Sequence, residues 1–328
     1  MNNTSFPFFS IIIPCYNAAT VIEKALHSLE LQTFFDFEVI LVDDCSTDNT
    51  YEYCTRKVIS CNLHITLLKN EINCGPGVSR NKGLQYARGK YVGFCDSDDW
   101  YEPDLLKLVY EKIKKEQSDI VFFDSYRCFS DNNKKQIGNL SQFSHCKSKE
   151  DFVALSTDSL WSLIAKRDVF DKVSIANLYN AEDVVTVPLL IAEAKYISYI
   201  NLPLYNYQYR LQSLSTHVDQ RVVENFLAAY SFLTNHRKAE YGVAFECLCV
   251  KLMLYGVFYN AIRCGMNRKF LKEQLDEFLK KYPDWYKNRY IKYFPLRKKF
   301  WMFCVKKEWF IVLRLYCMLQ RIYLQNMQ

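Results

Sequence analysis

Two hydrophobic rhythms alternate through the first 125 residues. Short apolar runs stand at 8–13, 37–42, 63–68, 91–95 and 119–123. Helical patterns occupy 19–32, the stretch opened by Ser46-Thr47-Asp48, the stretch after Gly75-Pro76-Gly77, and the segment near whose start Pro103 stands. Runs of this length read as strands, and a 3.6-residue period reads as helix. Their alternation predicts βαβ units and a mostly parallel, doubly wound α/β sheet with helices on both faces. From 130 to 150 the chain turns polar, which predicts a mobile loop or excursion outside the core. Shorter elements follow to about residue 217. Beyond it, helical patterns stand at 221–236, 244–263 and 269–281.

The polar residues gather where the strands stop. Strand one runs into Pro14-Cys15-Tyr16-Asn17, strand two into Asp43-Asp44, and strand four into Asp96-Ser97-Asp98-Asp99. Ligands of open α/β sheets bind at the carboxyl ends of the strands, so these three ends predict one site. Helix capping explains Ser46-Thr47-Asp48 equally well, but not the whole set. In an extended D-x-D the first and third side chains project the same way, so Asp96 and Asp98 can converge on one ion. Such hard oxygen donors suit Mg2+ or Mn2+, which bridge phosphate oxygens. The stretch from Asn73 to Gly83 has glycines for a tight turn, but Arg80 stands where a dinucleotide loop needs its third glycine. The loop after strand one has none, which argues against a nicotinamide site.

Charge and composition sharpen the picture at the far end. The chain carries a formal +6, yet residues 285–328 hold ten Lys or Arg against one acid, leaving the other 284 residues at −3. A nucleic-acid-binding body would spread a basic face over its fold, so no nucleic-acid partner is expected. A basic, aromatic tail instead predicts contact with an anionic membrane surface. As one helix over 300–323, it would set Lys307, Arg314 and Arg321 on a single stripe. Thirteen scattered cysteines without a paired zinc spacing, and an N-terminus without a basic leader, predict free thiols in a reducing cytosol. The longest apolar run near the tail is interrupted by Arg314, and no membrane span is expected.

The ordered stretches Ser10–Asn17, Val42–Asp48, Gly75–Gly83 and Phe94–Trp100 resemble the motifs of the family 2 glycosyltransferases, which have the GT-A fold. The strong resemblance covers about 125 residues; a weaker one, typical of bacterial surface-polysaccharide members (capsule, lipopolysaccharide), reaches about residue 217. Two departures are Cys45, where the family often has Gly, and Ser79 before Arg80, where Ala is usual. The resemblance implies a nucleotide-sugar donor, usually a UDP-sugar, and a divalent cation. It puts Tyr16 and Asp44 at the nucleobase with Pro14 and Asn17 shaping the pocket, and Arg80 at base or diphosphate. Asp96, with Ser97 beside it, would meet ribose or the metal region, and Asp98 would ligate the metal.

In the second half, Glu182-Asp183 could merely be acids opening a helix, favoured by its positive end. The resemblance instead makes Asp183 the general base and Glu182 a group orienting the acceptor. Residues 203–210 and Ser213-Leu214-Ser215 resemble the family's closing segment, which would bring Arg210, and further along His217, to the diphosphate; a strand edge with surface aromatics explains the stretch equally well. Trp161 and Lys166 are candidates to frame the acceptor pocket, although a Trp there is also simply core. The expected organisation is a GT-A domain at 1–216 (a nucleotide-sugar half, 1–125, and an acceptor half, 126–216), a helical region at 217–284 and the basic segment at 285–328. The expected protein is an inverting transferase, peripheral at the inner face of the cytoplasmic membrane, acting on a glycan or lipid-linked acceptor; a homo-oligomer is left open. Two rival readings are a non-catalytic nucleotide-sugar-binding scaffold and a metal-dependent nucleotidyltransferase. The second usually carries a glycine-rich basic loop after strand one, which 14–20 lacks.

Overall fold

The computed structural model describes residues 6–130, 133–136, 141–210 and 218–325. The chain divides into two units, one of residues 1–152 with 156–213 and one of residues 214–328 with 153–155. The first holds β1 (Phe9–Cys15), α1 (Ile22–Glu30), β2 (Phe37–Asp43), α2 (Thr50–Ser60), β3 (Ile65–Lys69), α3 (Pro76–Tyr86) and β4 (Tyr91–Phe94). There follow β5 (Trp100–Tyr101), α4 (Leu105–Glu116), β6 (Ile120–Ser130), β7 (Asn133–Gln136), α5 (Lys149–Ala154), β8 (Leu163–Lys166), α6 (Arg167–Phe170), α7 (Glu182–Glu193) and β9 (Ile197–Gln208). One sheet runs β3-β2-β1-β4-β8-β6-β9-β5, with β7 paired to β6. Its β3-β2-β1-β4 portion is parallel throughout. Antiparallel ladders enter only with β5, β7 and β8.

Burial explains why the early strands are continuous apolar runs. All seven residues of β1 are buried, as a central parallel strand covered by helices on both faces requires. On one face α1 lays Ile22, Ala25, Leu26 and Leu29, spaced i, i+3, i+4 and i+7, into the core around Ile11 and Ile13. On another, α3 closes on β1 where Gly83 leaves room: a Cβ there would stand 2.5 Å from Ile12 Cγ2. Gly89 is as tight and less forgiving, because its Cβ would lie 2.5 Å from the backbone nitrogen of Ser10. That neighbour is main chain in a central strand and cannot swing away. Gly89→Ala is therefore expected to destabilise the first unit by about 1–3 kcal/mol, measured as a lower urea midpoint.

Part of the polar excursion packs after all. Phe143 is 3% exposed and sets its ring edge against Phe122 at 4.8 Å and Tyr199 at 5.8 Å. One aromatic in a polar stretch is enough to dock it, and polarity averaged over twenty residues hides that. β6 is correspondingly longer than the 119–123 run, because its second half pairs with β7 and β9.

The second unit is helical: α8 (Gln220–Asn235), α9 (Gly242–Val250), a π-helical turn (Lys251–Val257), α10 (Phe258–Arg263), α11 (Arg268–Lys281), α12 (Leu296–Lys306) and α13 (Phe310–Gln325). The helical stretch Ala239–Arg263 is long and apolar enough to cross a membrane by length and composition, but 61% of its most apolar window is buried within the protein. That apolarity therefore serves packing. In the π turn, the Leu254 carbonyl accepts the indole N–H of Trp301 at 2.9 Å, tying α12 to this helix. The single helix expected over 300–323 is broken. Glu308 takes φ +55°, and Trp309 N–H caps back onto the Cys304 carbonyl at 2.9 Å. A left-handed residue ends a helix whatever the side-chain pattern, so Lys307 and Arg314 do not share one stripe.

Candidate active site

Everything chemical in the first unit is brought to the carboxyl ends of β1, β2 and β4. After β1, Asn17 turns back at φ +48° and its Oδ1 accepts Thr47 N–H at 2.9 Å and Asp48 N–H at 3.3 Å. Ser46 Oγ accepts the Asn17 N–H at 3.0 Å. Asn17 thus fastens the β1 loop to the β2 loop, a bracing role. Pro14 lies within β1 opposite Val42, and Tyr16 presents its ring to solvent, 45% exposed. An exposed aromatic braced between two strand ends is suited to stacking on a flat ligand.

Asp44 builds the wall beside it. Its carboxylate is buried and accepts Asn70 Nδ2 at 2.7 Å, Cys74 N–H at 3.0 Å and Gly75 N–H at 2.7 Å. Two of these bonds fall on Oδ1 and one on Oδ2, so Oδ2 keeps an acceptor position for a ligand N–H. The backbone explains the neighbouring residues. Cys45 sits at φ +58°, the conformation that glycine takes without cost and other residues at about 1–2 kcal/mol. Its thiol donates to the Glu71 carbonyl at 3.3 Å. Gly75, at φ +86°, delivers Pro76 into the first turn of α3, where Tyr179 leaves a Cβ only 3.3 Å of space.

Arg80, on the second turn of α3, is where the structure departs most from expectation. A base or diphosphate contact was expected. The side chain is instead 4% exposed and committed to three carboxylates: Asp96 at 2.7 Å, Glu182 at 2.5 Å and Asp183 at 3.3 Å. Burial opposes its charge, but Asp183, Asp96 and Glu182 outweigh that and push its pKa above the ordinary value. Three elements thereby meet at one guanidinium, whose planar fork can serve several oxygens at once as an ammonium cannot. Ala181, at φ +65°, turns the chain so that α7 opens on Glu182 and Asp183.

Asp183 is held from two sides. Its Oδ2 accepts Leu160 N–H at 3.0 Å, and its Oδ1 faces Arg80. Burial pushes its carboxyl well up; Arg80 opposes, while Glu182 and Asp96 add to the rise. A carboxylate made more basic by burial and acidic neighbours has the character of a general base. Glu182, 5% exposed, faces inward to Arg80.

The three acids after β4 separate into different roles. Asp99 is fully buried and accepts Tyr205 hydroxyl and Gln208 N–H, each at 2.7 Å, so it anchors β9. Ser97 stands in the turn closed by Asp99 N–H on the Asp96 carbonyl. Asp98 points the other way and forms an ion pair with Arg210. Burial, and then Asp96, push the Asp98 carboxyl up, against the pull of Arg210. Among the described residues no three His, Cys, Asp or Glu side chains are gathered as a metal cage. Asp98 and Asp96 nevertheless fit a hard cation of the kind that is held by one or two carboxylates plus substrate phosphates. Four carboxylates meet two guanidiniums here, three at Arg80 and one at Arg210.

Other expectations fall differently. Trp161 stacks on Tyr205 at 4.5 Å and is 7% exposed, so it is floor and not acceptor wall. Lys166 is opposite Tyr91 in the β4–β8 ladder, at the far end of the sheet from Asp96, and pairs with Asp168 at 2.9 Å. Antiparallel β8 carries it away from the site, a direction no sequence motif announced. Ser213, Leu214, Ser215 and His217 lie outside the described residues. Tyr205, missed by sequence reasoning, ties Asp99 by its hydroxyl and receives Asp96 N–H at 3.1 Å. Its signal was membership of the 203–210 stretch, which gave it no role of its own.

Comparison with known proteins gives the family and the fold. The family model for Glycosyl transferase family 2 matches residues 10–172. The chain is 31% identical over 184 residues to the Bacillus subtilis (strain 168) glycosyltransferase TuaG, whose name assigns it provisionally to teichuronic acid biosynthesis; the match spans 55% of this chain and 70% of TuaG. It is 30% identical over 219 residues to glycosyltransferase GlyA of Streptococcus pneumoniae serotype 4, covering 63% of this chain but only 31% of GlyA. Among solved structures, Staphylococcus aureus TarS 1–349 in complex with UDP-GlcNAc superposes with a TM-score of 0.65 at 22% identity, over 93% of this chain and 89% of that one. That likeness shows the fold, which is GT-A.

Proposed function

The chain belongs to glycosyl transferase family 2, and from that membership and the site we propose that it moves one sugar, with inversion, from a UDP-linked hexose or N-acetylhexosamine to a glycan or lipid-linked acceptor in surface polysaccharide synthesis. The observation that carries the proposal is the joining of Asp96 and Asp183, from the donor side and the acceptor side, through one buried arginine. TarS, a relative in fold, binds UDP-GlcNAc, which supports a UDP-sugar here. Tyr16 stacks on the nucleobase, and the remaining acceptor of Asp44 Oδ2 takes an N–H from it. Pro14 and Asn17 fix the loop that holds Tyr16.

Arg210 meets the diphosphate, and Ser97 and Asp96 border the ribose. Asp98, with Asp96, would hold Mn2+ or Mg2+, and such an ion would supply positive charge to the leaving diphosphate. Asp183 takes the acceptor hydroxyl proton on the face of the ring opposite the leaving group, and Glu182 keeps the acceptor oriented. Inversion follows from that opposition. The place of action is the cytoplasmic face of the membrane, where a lipid-linked acceptor would be presented.

The test is release of UDP from a panel of UDP-sugars with manganese, with and without a glycan acceptor. Release of pyrophosphate from sugar phosphate and nucleoside triphosphate would overturn the reading in favour of a nucleotidyltransferase. Asp98→Ala is expected to abolish the manganese-dependent part of UDP-sugar binding in calorimetry and to stop transfer. Affinity unchanged by either the substitution or chelation would remove Asp98 from the metal.

A further inference from the structure

The outward face of α13 is apolar, the reverse of what a solvated helix presents. Phe310 and Leu313 are buried, yet Ile311, Leu315, Met318 and Leu319 are each more than half exposed. These four stand at i, i+4, i+7 and i+8, on one face. The surface continues through Trp309, whose ring lies edge-on to Phe303 of α12 at 5.6 Å, both rings exposed. Around it the chain is basic. Lys306, Lys307 and Arg314 are exposed, although Lys306 lies over the Tyr286 ring at 3.8 Å and Arg314 spends one N–H on the Met266 carbonyl at 2.8 Å; the nearest acid in sequence, Glu308, is directed to Arg268 and Lys272 at 3.4 and 3.9 Å.

We propose that α13, with the turn leading into it, docks on an anionic lipid surface. Ile311, Leu315, Met318 and Leu319 enter the headgroup–acyl boundary, while Lys306, Lys307 and Arg314 meet lipid phosphates. An exposed apolar stripe bordered by cations is what an interfacial helix presents. A second copy fits the face poorly, because an isologous contact would set this basic rim against itself with almost no acid to answer it. The placement serves the lipid-linked acceptor proposed above, and that is the only respect in which it rests on that reading.

The experiment is co-sedimentation of the full chain with sucrose-loaded vesicles, either pure phosphatidylcholine or containing phosphatidylglycerol. Binding is expected with phosphatidylglycerol only, and to weaken in high salt. Each cation near such a surface is worth about fivefold in partitioning, so Lys306→Gln with Lys307→Gln should lower it by about 25-fold. Leu315→Ser with Leu319→Ser should lower it by about tenfold or more. All four residues are exposed, and an unchanged circular dichroism melt checks folding. UDP release by the wild-type protein separates the readings: no release with lipid binding intact counts against the transferase, not against docking. Wild-type protein that ignores phosphatidylglycerol vesicles overturns the inference. So do variants that bind like wild type, or a wild-type dimer that Leu315→Ser with Leu319→Ser splits while no lipid is bound.

Discussion

Asp183→Asn should lose transfer by about 10²–10⁴-fold while donor affinity stays at the wild-type value. The prediction comes from what Asp183 touches. Its carboxylate oxygens meet Leu160 N–H and Arg80, and no bond joins it to the residues around Tyr16 and Asp44 that are assigned to the nucleobase. The amide keeps the size of the carboxyl group. Its oxygen can still accept one of those donors, but it cannot take a proton at neutral pH. The loss should therefore fall on kcat, with KM for the donor little changed. Calorimetry with a UDP-sugar and manganese, beside turnover with a glycan acceptor, makes the measurement. Near wild-type turnover would return Asp183 to the role of a helix-opening acid. Loss of donor binding would mean that the acids on the two sides of Arg80 form one undivided donor site.

How much of this could be read in the sequence depends on the range of the interaction concerned. The parallel strands were legible because a strand buried on both faces must be a continuous apolar run, as β1 and β2 are. The location of the site followed, since strand ends in such a sheet are where polar residues can converge. The partition of neighbouring acids was not legible. Asp98 and Asp99 are adjacent in sequence, yet one reaches Arg210 and the other disappears beneath Tyr205. What separates them is a contact with β9 more than a hundred residues away. The partners of Arg80 were illegible for the same reason: Glu182 and Asp183 lie 102 and 103 residues downstream. The break at Glu308 has another cause, since a single left-handed backbone residue overrides a side-chain pattern that favours a continuous helix.

Arg80→Met should move the acid limb of the pH–rate profile to higher pH and lower kcat at neutral pH, with activity partly recovered in alkaline buffer. The sign follows from the forces on Asp183. Burial raises its pKa most, Glu182 and Asp96 raise it further, and Arg80 is the group that holds it down. Without the guanidinium the folded-state pKa climbs, and less of the base is ionised at a given pH. Arg80→Lys keeps the charge but cannot reach three carboxylates at once, so its limb should fall between wild type and Met. Stability should shift in the same sense. A carboxyl whose folded pKa lies above its unfolded value contributes stability that is present below the unfolded value and is lost as pH rises through the folded one. Asp98, Asp99 and Asp183 are all of this kind. Removing Arg80 raises Asp183 further and leaves buried acids without their cation, a loss of about 3–5 kcal/mol. The variant should therefore be weakest at neutral to alkaline pH and close part of the gap in mild acid, where its acids are protonated. A urea titration at several pH values reads this directly. If Arg80 instead served the donor diphosphate, Arg80→Met would raise the donor Kd at every pH and leave the limb where it was.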